Sequence, residues 1–344
     1  MAHCIGEDET LFLRRLIKGI TGHMDKISVV IPAYNEALTL PLLIGEITEH
    51  LSPMGRGFEI IVIDDGSEDD TWGVLTSCFR ENEKLRCVRF TRNFGKEAAI
   101  YAGLKMSLGA AAVVMDADLQ HPPALLPEMI SSWERTGVSL VEAVKEKRQA
   151  ESRLRAIGSA VFYHLFLKTA GLNLRNSSDY KLLDRKMIEQ YLNLHESIRF
   201  FRGLTKWFGY PSAVIYYSPS DRWGGRKKSR WTIHSLIAFA RNSLISFSVI
   251  PLRFVTWLGF ATFLMSVLLG VQTLWMKLSG LAVEGFTTVI LVVLGIGSVI
   301  MMSLGLMGEY IARIYEEIKQ RPMYVIGELL EATEAGRGLS LIHI

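Results

Sequence analysis

Asp116 and Asp118 stand one residue apart at the end of an apolar run, in VVMDADLQHPP (Val113–Pro123). In an extended chain, side chains at i and i+2 share a face, and Gln120 continues it. Two carboxylates this close repel unless something positive lies between them. Oxygen donors of this kind suit a hard divalent cation, Mg²⁺ or Mn²⁺, which keeps waters and also binds substrate phosphates. The alternative is an acidic turn that is solvated and inert. Pro122 and Pro123 fix the exit of the chain, and His121 is expected to support the site rather than ligate. A second acid pair, Asp64 and Asp65, closes another apolar run in IIVIDDGSEDDT (Ile60–Thr71). Helix capping explains Asp69 or Asp70. It does not explain Asp64 and Asp65, which can accept from a base N–H or a ribose hydroxyl. In PAYNE, Tyr34 offers a ring for stacking and Glu36 an acceptor, while Arg92 and Lys96 around Gly95 offer cations for a diphosphate.

These groups need a scaffold, and the text around them describes one. From Asp25 onward, apolar β-branched runs (KISVVIPA, FEIIVID, LRCVRF, AAVVM) alternate with segments of helical spacing. Strands that are near-continuously apolar, each followed by a helix, predict an α/β domain with a mostly parallel, Rossmann-like sheet covered on both faces. In such sheets ligands bind beyond the carboxyl ends of the strands, where all three polar clusters fall. SSDYKLLDRKMIEQYL (177–192) is expected to form a strand or loop followed by a helix.

The remainder of the 344 residues is of a different kind. Two uncharged apolar segments, 254–276 and 286–308, are each long enough to cross a hydrocarbon core of roughly 30 Å as a helix. The short link KLSGLAVE makes them a hairpin. Arg226, Lys227, Lys228, Arg230, Arg241 and Arg253 precede it, and Arg313, Lys319 and Arg321 follow it. The positive-inside rule therefore predicts an inner or plasma membrane protein with both flanks and the N-terminal domain in the cytoplasm. The three cysteines form no paired framework, consistent with a reducing compartment. A net charge of +3 is modest, and no nucleic-acid partner is expected. The expected organisation is an N-terminal extension (1–24), amphipathic or without function, a catalytic domain (25–230) and an interfacial amphipathic helix (231–249). The two spans (250–310) and a C-terminal tail (311–344) complete it.

Taken in order, VVIPAYNEALTL, IIVIDDGSEDDT, RNFGKEAAIYAGL and MDADLQHPP resemble glycosyltransferase family 2. SDYKLLDR, FFRGL and the two spans resemble its polyprenyl-phosphate branch, which includes bactoprenol glucosyltransferases and dolichyl-phosphate mannose synthases. The likeness runs over roughly residues 26–326. It implies a glycosyltransferase A-type fold and inverting transfer of a sugar, such as glucose, from a nucleotide-sugar, UDP-linked, to a polyprenyl phosphate. It implies that Asp64 recognises the base with Pro32, Tyr34 and Glu36, that Asp65, Lys96 and Ala117 complete the donor set, and that Asp116, Asp118 and Gln120 hold Mg²⁺ or Mn²⁺. Arg155 and Ser159 match the lipid-phosphate residues of the mannose synthases. Arg148 falls on the same helical face if one helix runs that far. Arg222 lies in DRWGGRKKSRW, which matches the acceptor loop. Asp179 matches the proposed catalytic base. A phosphate monoester with its second pKa near 6 is already an oxyanion, so Asp179 could instead position the sugar or a cation. Homo-oligomers are common in the family. A processive polysaccharide synthase fits less well, because FFRGLTKW replaces its Q-x-x-R-W motif. A non-catalytic scaffold fits less well still, because the D-x-D is intact.

Overall fold

The computed structural model describes residues 26–146, 177–194, 196, 199–218, 250–280, 285–319 and 321–331. The chain divides into two compact units: residues 1–163, 172–230 and 322–344 form one, and residues 164–171 and 231–321 the other.

In the first unit every residue of β1 (Ile27–Ala33) and β2 (Phe58–Asp64) is buried, as expected of central strands covered on both faces. Helix α1 (Leu40–Leu51) buries Leu40, Leu43, Ile44, Ile47 and Leu51, one face of a 3.6-residue repeat. Helix α2 (Thr71–Glu81) leads to β3 (Leu85–Phe90), and α3 (Lys96–Met106) to β4 (Ala111–Val114). Gly103 of α3 lies so close to Val30 that a Cβ there would meet its side chain, which lets the helix settle against β1. Helix α4 (Leu126–Thr136) precedes β5 (Leu140–Lys145). Strand β6 (Lys181–Asp184), helices α5 (Arg185–Leu192) and α6 (Phe201–Trp207), and β7 (Ser212–Tyr217) follow.

Among the described residues the sheet has eight strands in the order β7-β5-β6-β4-β1-β2-β3-β8, with β8 formed by Ile326–Leu330. Strands β1–β4 are mutually parallel where they pair, and β5 pairs parallel with β7. Strand β6 runs antiparallel to both β4 and β5. The sheet is therefore mostly parallel, as expected. The reversed strand matters for function: it places Lys181 opposite Val114, so the residues just before β6 emerge at the edge where β1, β2 and β4 end.

The eighth strand was not expected. Residues Ile326–Leu330 (β8), in the segment read as a tail, pair antiparallel with β3 and close that edge of the sheet.

The second unit contains α7 (Ile250–Leu278) and α8 (Phe286–Ile318), which pack against each other. They enclose the expected spans, and α8 runs on past residue 308. At 29 and 33 residues and about 1.5 Å per residue, both exceed a hydrocarbon core of roughly 30 Å. Large apolar side chains stand exposed along them, among them Trp257, Leu268 and Trp275, the last 73% accessible. Such a surface is stable against lipid rather than water. The expected interfacial helix and the N-terminal extension lie outside the described residues.

Candidate active site

Three loops meet at the carboxyl edge, and backbone hydrogen bonds fix how they meet. Asn35, in left-handed geometry at φ 58°, accepts from Glu68 N–H through its side-chain oxygen at 2.9 Å. Its own N–H donates to Ser67 Oγ at 2.9 Å. Glu36 N–H donates to Thr71 Oγ1 at 2.9 Å, so PAYNE is tied to DDGS. Gly66 has φ 66° and backs directly onto the Arg92 backbone, where any Cβ would collide. Asp65 is almost wholly buried and accepts from Phe94 N–H at 2.7 Å and Gly95 N–H at 2.9 Å. This acid thus moulds the RNFGK loop and presents Lys96 at the start of α3. Asp64 is 0% exposed. Its Oδ1 accepts from Ser67 N–H at 2.9 Å, while Oδ2 has no hydrogen bond and lies 3.5 Å from Arg89 Nε. Pro32 is buried in β1, and Tyr34 and Glu36 are half-buried beyond it.

The D-x-D acids lie beyond β4 rather than in it. Strand β4 ends at Val114, and Met115 to Gln120, with Ala117 at its centre, form a turn in which Leu119 takes φ 59°. Asp118 Oδ1 accepts from Gln120 N–H at 3.1 Å, and Asp116 N–H donates to His121 Nδ1 at 3.0 Å. A turn, not strand alternation, therefore sets the relation between the two acids. His121 stacks on Tyr180 with ring centroids 4.9 Å apart. Burial pushes its pKa down, favouring the neutral ring, and the Asp116 N–H selects the tautomer in which Nδ1 accepts.

Lys96 joins the D-x-D to Asp179. Its Nζ is 2.6 Å from Asp116 Oδ1 and 2.8 Å from Asp179 Oδ2. Arg202, at the start of α6, grips the same Asp179 carboxylate with both arms: Nε donates to Oδ1 at 2.9 Å and Nη2 to Oδ2 at 2.8 Å. Burial alone would raise the Asp179 pKa, but Lys96 and Arg202 outweigh it and hold the carboxyl well below the usual carboxylate range. A carboxylate gripped by two cations is a poor proton acceptor. Asp116, Asp179 and Arg202 of this alternating row border a cleft of about 260 Å³, with Lys145 and Ser178 on its other walls. Lys145 Nζ donates to Gln120 Oε1 at 3.0 Å.

Behind the cleft a buried ion cluster supports this row. Lys181, 0% exposed, lies 2.8 Å from Glu142 Oε1 and donates to Thr205 Oγ1 at 2.6 Å. Lys206 meets the other Glu142 oxygen. The cluster joins β5, β6 and α6, of which β6 begins just after Asp179 and α6 carries Arg202. Reading the residues did not single out Asn35, Arg89, Lys181 or Arg202. FFRGL enters only through the family resemblance. Arg148, Arg155, Ser159 and Arg222 lie outside the described residues.

The donor set available to a metal is all oxygen: Asp116, Asp118 and the Gln120 amide. That chemistry fits Mg²⁺ or Mn²⁺ better than a softer ion. The Lys96 ammonium against Asp116 marks a position where positive charge is stable. Among the described residues no three His, Cys, Asp or Glu side chains converge, so an ion held here would need substrate oxygens to complete its shell.

The family model for glycosyl transferase family 2 matches residues 28–209. The chain belongs to that family. A second model, the GtrB C-terminal hairpin, matches residues 250–314 of the transferase, which takes in α7 and most of α8. A putative glycosyltransferase of Bacillus subtilis is 37% identical over 304 residues, 88% of the transferase and 91% of that protein. The bactoprenol glucosyl transferase of Shigella phage SfII is 33% identical over 307 residues, 88% of the transferase and 97% of its own length. Among solved structures, Mycobacterium tuberculosis glucosyl-3-phosphoglycerate synthase, in complex with Mn²⁺, UDP-glucose and phosphoglyceric acid, matches with a TM-score of 0.43 at 21% identity. That match covers 72% of the transferase and 83% of the synthase. The transferase is thus a family 2 enzyme related to bactoprenol glucosyltransferases and carrying their type of membrane hairpin.

Proposed function

We propose that the transferase moves a hexosyl unit, glucose in the first instance, from a UDP-sugar to the phosphate of a polyprenyl carrier at the cytoplasmic face of the plasma or inner membrane. The observation that carries this reading is the joint match of catalytic domain and hairpin to a bactoprenol glucosyl transferase over 88% of the chain. The hairpin supports it physically, because a chain that carries apolar helices of membrane-spanning length suits an acceptor whose own tail stays in lipid.

Asp64, with Pro32, Tyr34, Glu36 and Asp65, forms the nucleotide subsite. Lys96 and the turn around Ala117 lie toward the donor diphosphate. Asp116, Asp118 and Gln120 hold Mg²⁺ or Mn²⁺, which when bound stabilises negative charge developing on the departing nucleoside diphosphate. Arg148, Arg155, Ser159 and Arg222 receive the lipid phosphate. The acceptor oxygen forms a bond to the anomeric carbon as the bond to the diphosphate breaks on the opposite face, so the configuration inverts. Lys96 and Arg202 keep Asp179 ionised and oriented, which suits a group that positions the sugar or a cation. The acceptor phosphate, with its second pKa near 6, needs no base near neutral pH.

A panel of radiolabelled nucleotide-sugars, each incubated with purified transferase and polyprenyl phosphate, tests the reading. The expected result is label in the lipid fraction, greatest with UDP-glucose. Label that stays out of lipid while a soluble acceptor is glycosylated would reject it.

A further inference from the structure

The strand that follows the membrane hairpin does more than cover a sheet edge. Edge strands are commonly capped to block pairing with other chains, and Glu331 serves that purpose plainly: its carboxylate meets Arg86 at 2.7 Å, with Arg86 also on Glu59 at 3.1 Å. Glu328 is placed differently. It lies directly opposite Arg89 in the β3–β8 register, and each of its oxygens has a separate partner. Oε1 accepts from Arg89 Nη1 at 3.2 Å and Oε2 from Trp72 Nε1 at 3.0 Å. The Arg89 guanidinium sits over the Trp72 ring, 6.0 Å from its centroid. Its Nε faces the buried Asp64 oxygen that has no hydrogen bond.

We propose that Glu328 is a positioning residue of the nucleotide subsite: it fixes Arg89 and Trp72 beside Asp64, so a strand encoded after the hairpin sets the affinity for the donor. The proposal rests on the reading of Asp64 as the base-recognising acid. Its physical basis is charge and geometry together. Burial pushes the Asp64 carboxyl up, while Ser67 and Arg89 pull it back down. An arginine free to swing away would leave a desolvated carboxylate without its counter-ion and the base without a fixed acceptor. A glutamate directly across the ladder, held from its other side by an indole N–H, removes that freedom.

The test uses the full-length transferase in detergent or nanodiscs, with UDP binding measured calorimetrically and KM measured separately for donor and acceptor. Glu328→Ala should weaken UDP binding and raise donor KM by about 5- to 10-fold, with acceptor KM unchanged. Glu328→Gln, which keeps an acceptor for Trp72 and loses the charge for Arg89, should fall between it and the parent. Glu331→Ala, which loosens the same strand away from Asp64, should bind UDP like the parent. Asp64→Asn separates the two readings. If Asp64→Asn weakens UDP binding and Glu328→Ala does not, the positioning role is overturned and the base reading stands. If Asp64→Asn leaves UDP binding intact, the base reading itself fails. Equal losses in Glu328→Ala and Glu331→Ala, or a parallel rise in acceptor KM, would reduce β8 to a structural cover and overturn the proposal.

Discussion

Asp116, Lys96, Asp179 and Arg202 form one row of alternating charge, and its members are expected to respond differently to substitution. Asp118→Ala, in the same turn as Asp116, should abolish metal-dependent transfer; full activity retained at ordinary metal levels would remove Asp118 from the ligand set. Asp179→Asn separates orientation from proton transfer. Loss of general-base catalysis typically costs about 10²–10⁴ in rate, whereas a carboxylate that only orients should lose about 10-fold or less in kcat. Glu97, the neighbour of Lys96, accepts from Phe201 N–H at 2.8 Å. Burial raises its pKa from 4.5 to about 7. The folded chain therefore holds this proton more tightly than the unfolded chain, and the contribution of Glu97 to stability declines as pH rises from 4.5 to 7. Glu97→Gln should flatten that part of a plot of melting temperature against pH.

The elements differ in how openly they are written. Strands β1 and β2 are near-continuous apolar runs, broken only by Ser28 and Glu59 before the polar residues that follow them, so the sheet and half of the site could be read directly. The antiparallel course of β6 could not, because KLLD is only four residues long and nothing local distinguishes its direction. With that direction unknown, Asp179 could not be set against Lys96, 83 residues away. Arg202 was hidden for the same reason, since its partner lies on another element. The D-x-D turn was misjudged as strand because Leu119, a residue that seldom takes positive φ, does so here. The ion cluster behind the cleft gives an element-level prediction. Lys181→Met leaves Glu142 buried with Lys206 as its cation among the described residues, and breaking a buried pair from one side costs about 3–5 kcal/mol. Thermal unfolding should register a large loss, with much of it recovered in Lys181→Met combined with Glu142→Leu.

For the whole molecule, the hairpin and the catalytic sheet are interleaved in the chain rather than placed end to end. Arg89 and Glu328 are 239 residues apart, and contacts of that separation leave no periodic trace, so VIGELL read as tail. A chain shortened to end at Ile318 would keep both apolar helices and lose β8. It should show a lower unfolding temperature than the full-length protein and stronger self-association in detergent, because β3 then presents an unpaired edge. Size-exclusion chromatography of the two forms side by side would check this.

The same interleaving puts biosynthesis in a fixed order. The first seven strands leave the ribosome before the hairpin does, and the eighth leaves after it. At about 5–20 residues per second, the stretch from Phe90 to Ile326 takes roughly 10–50 s to make. Throughout that interval β3 waits for its neighbour and Arg89 for its carboxylate. A nascent chain thus closes this edge of its sheet only once both apolar helices have been translated.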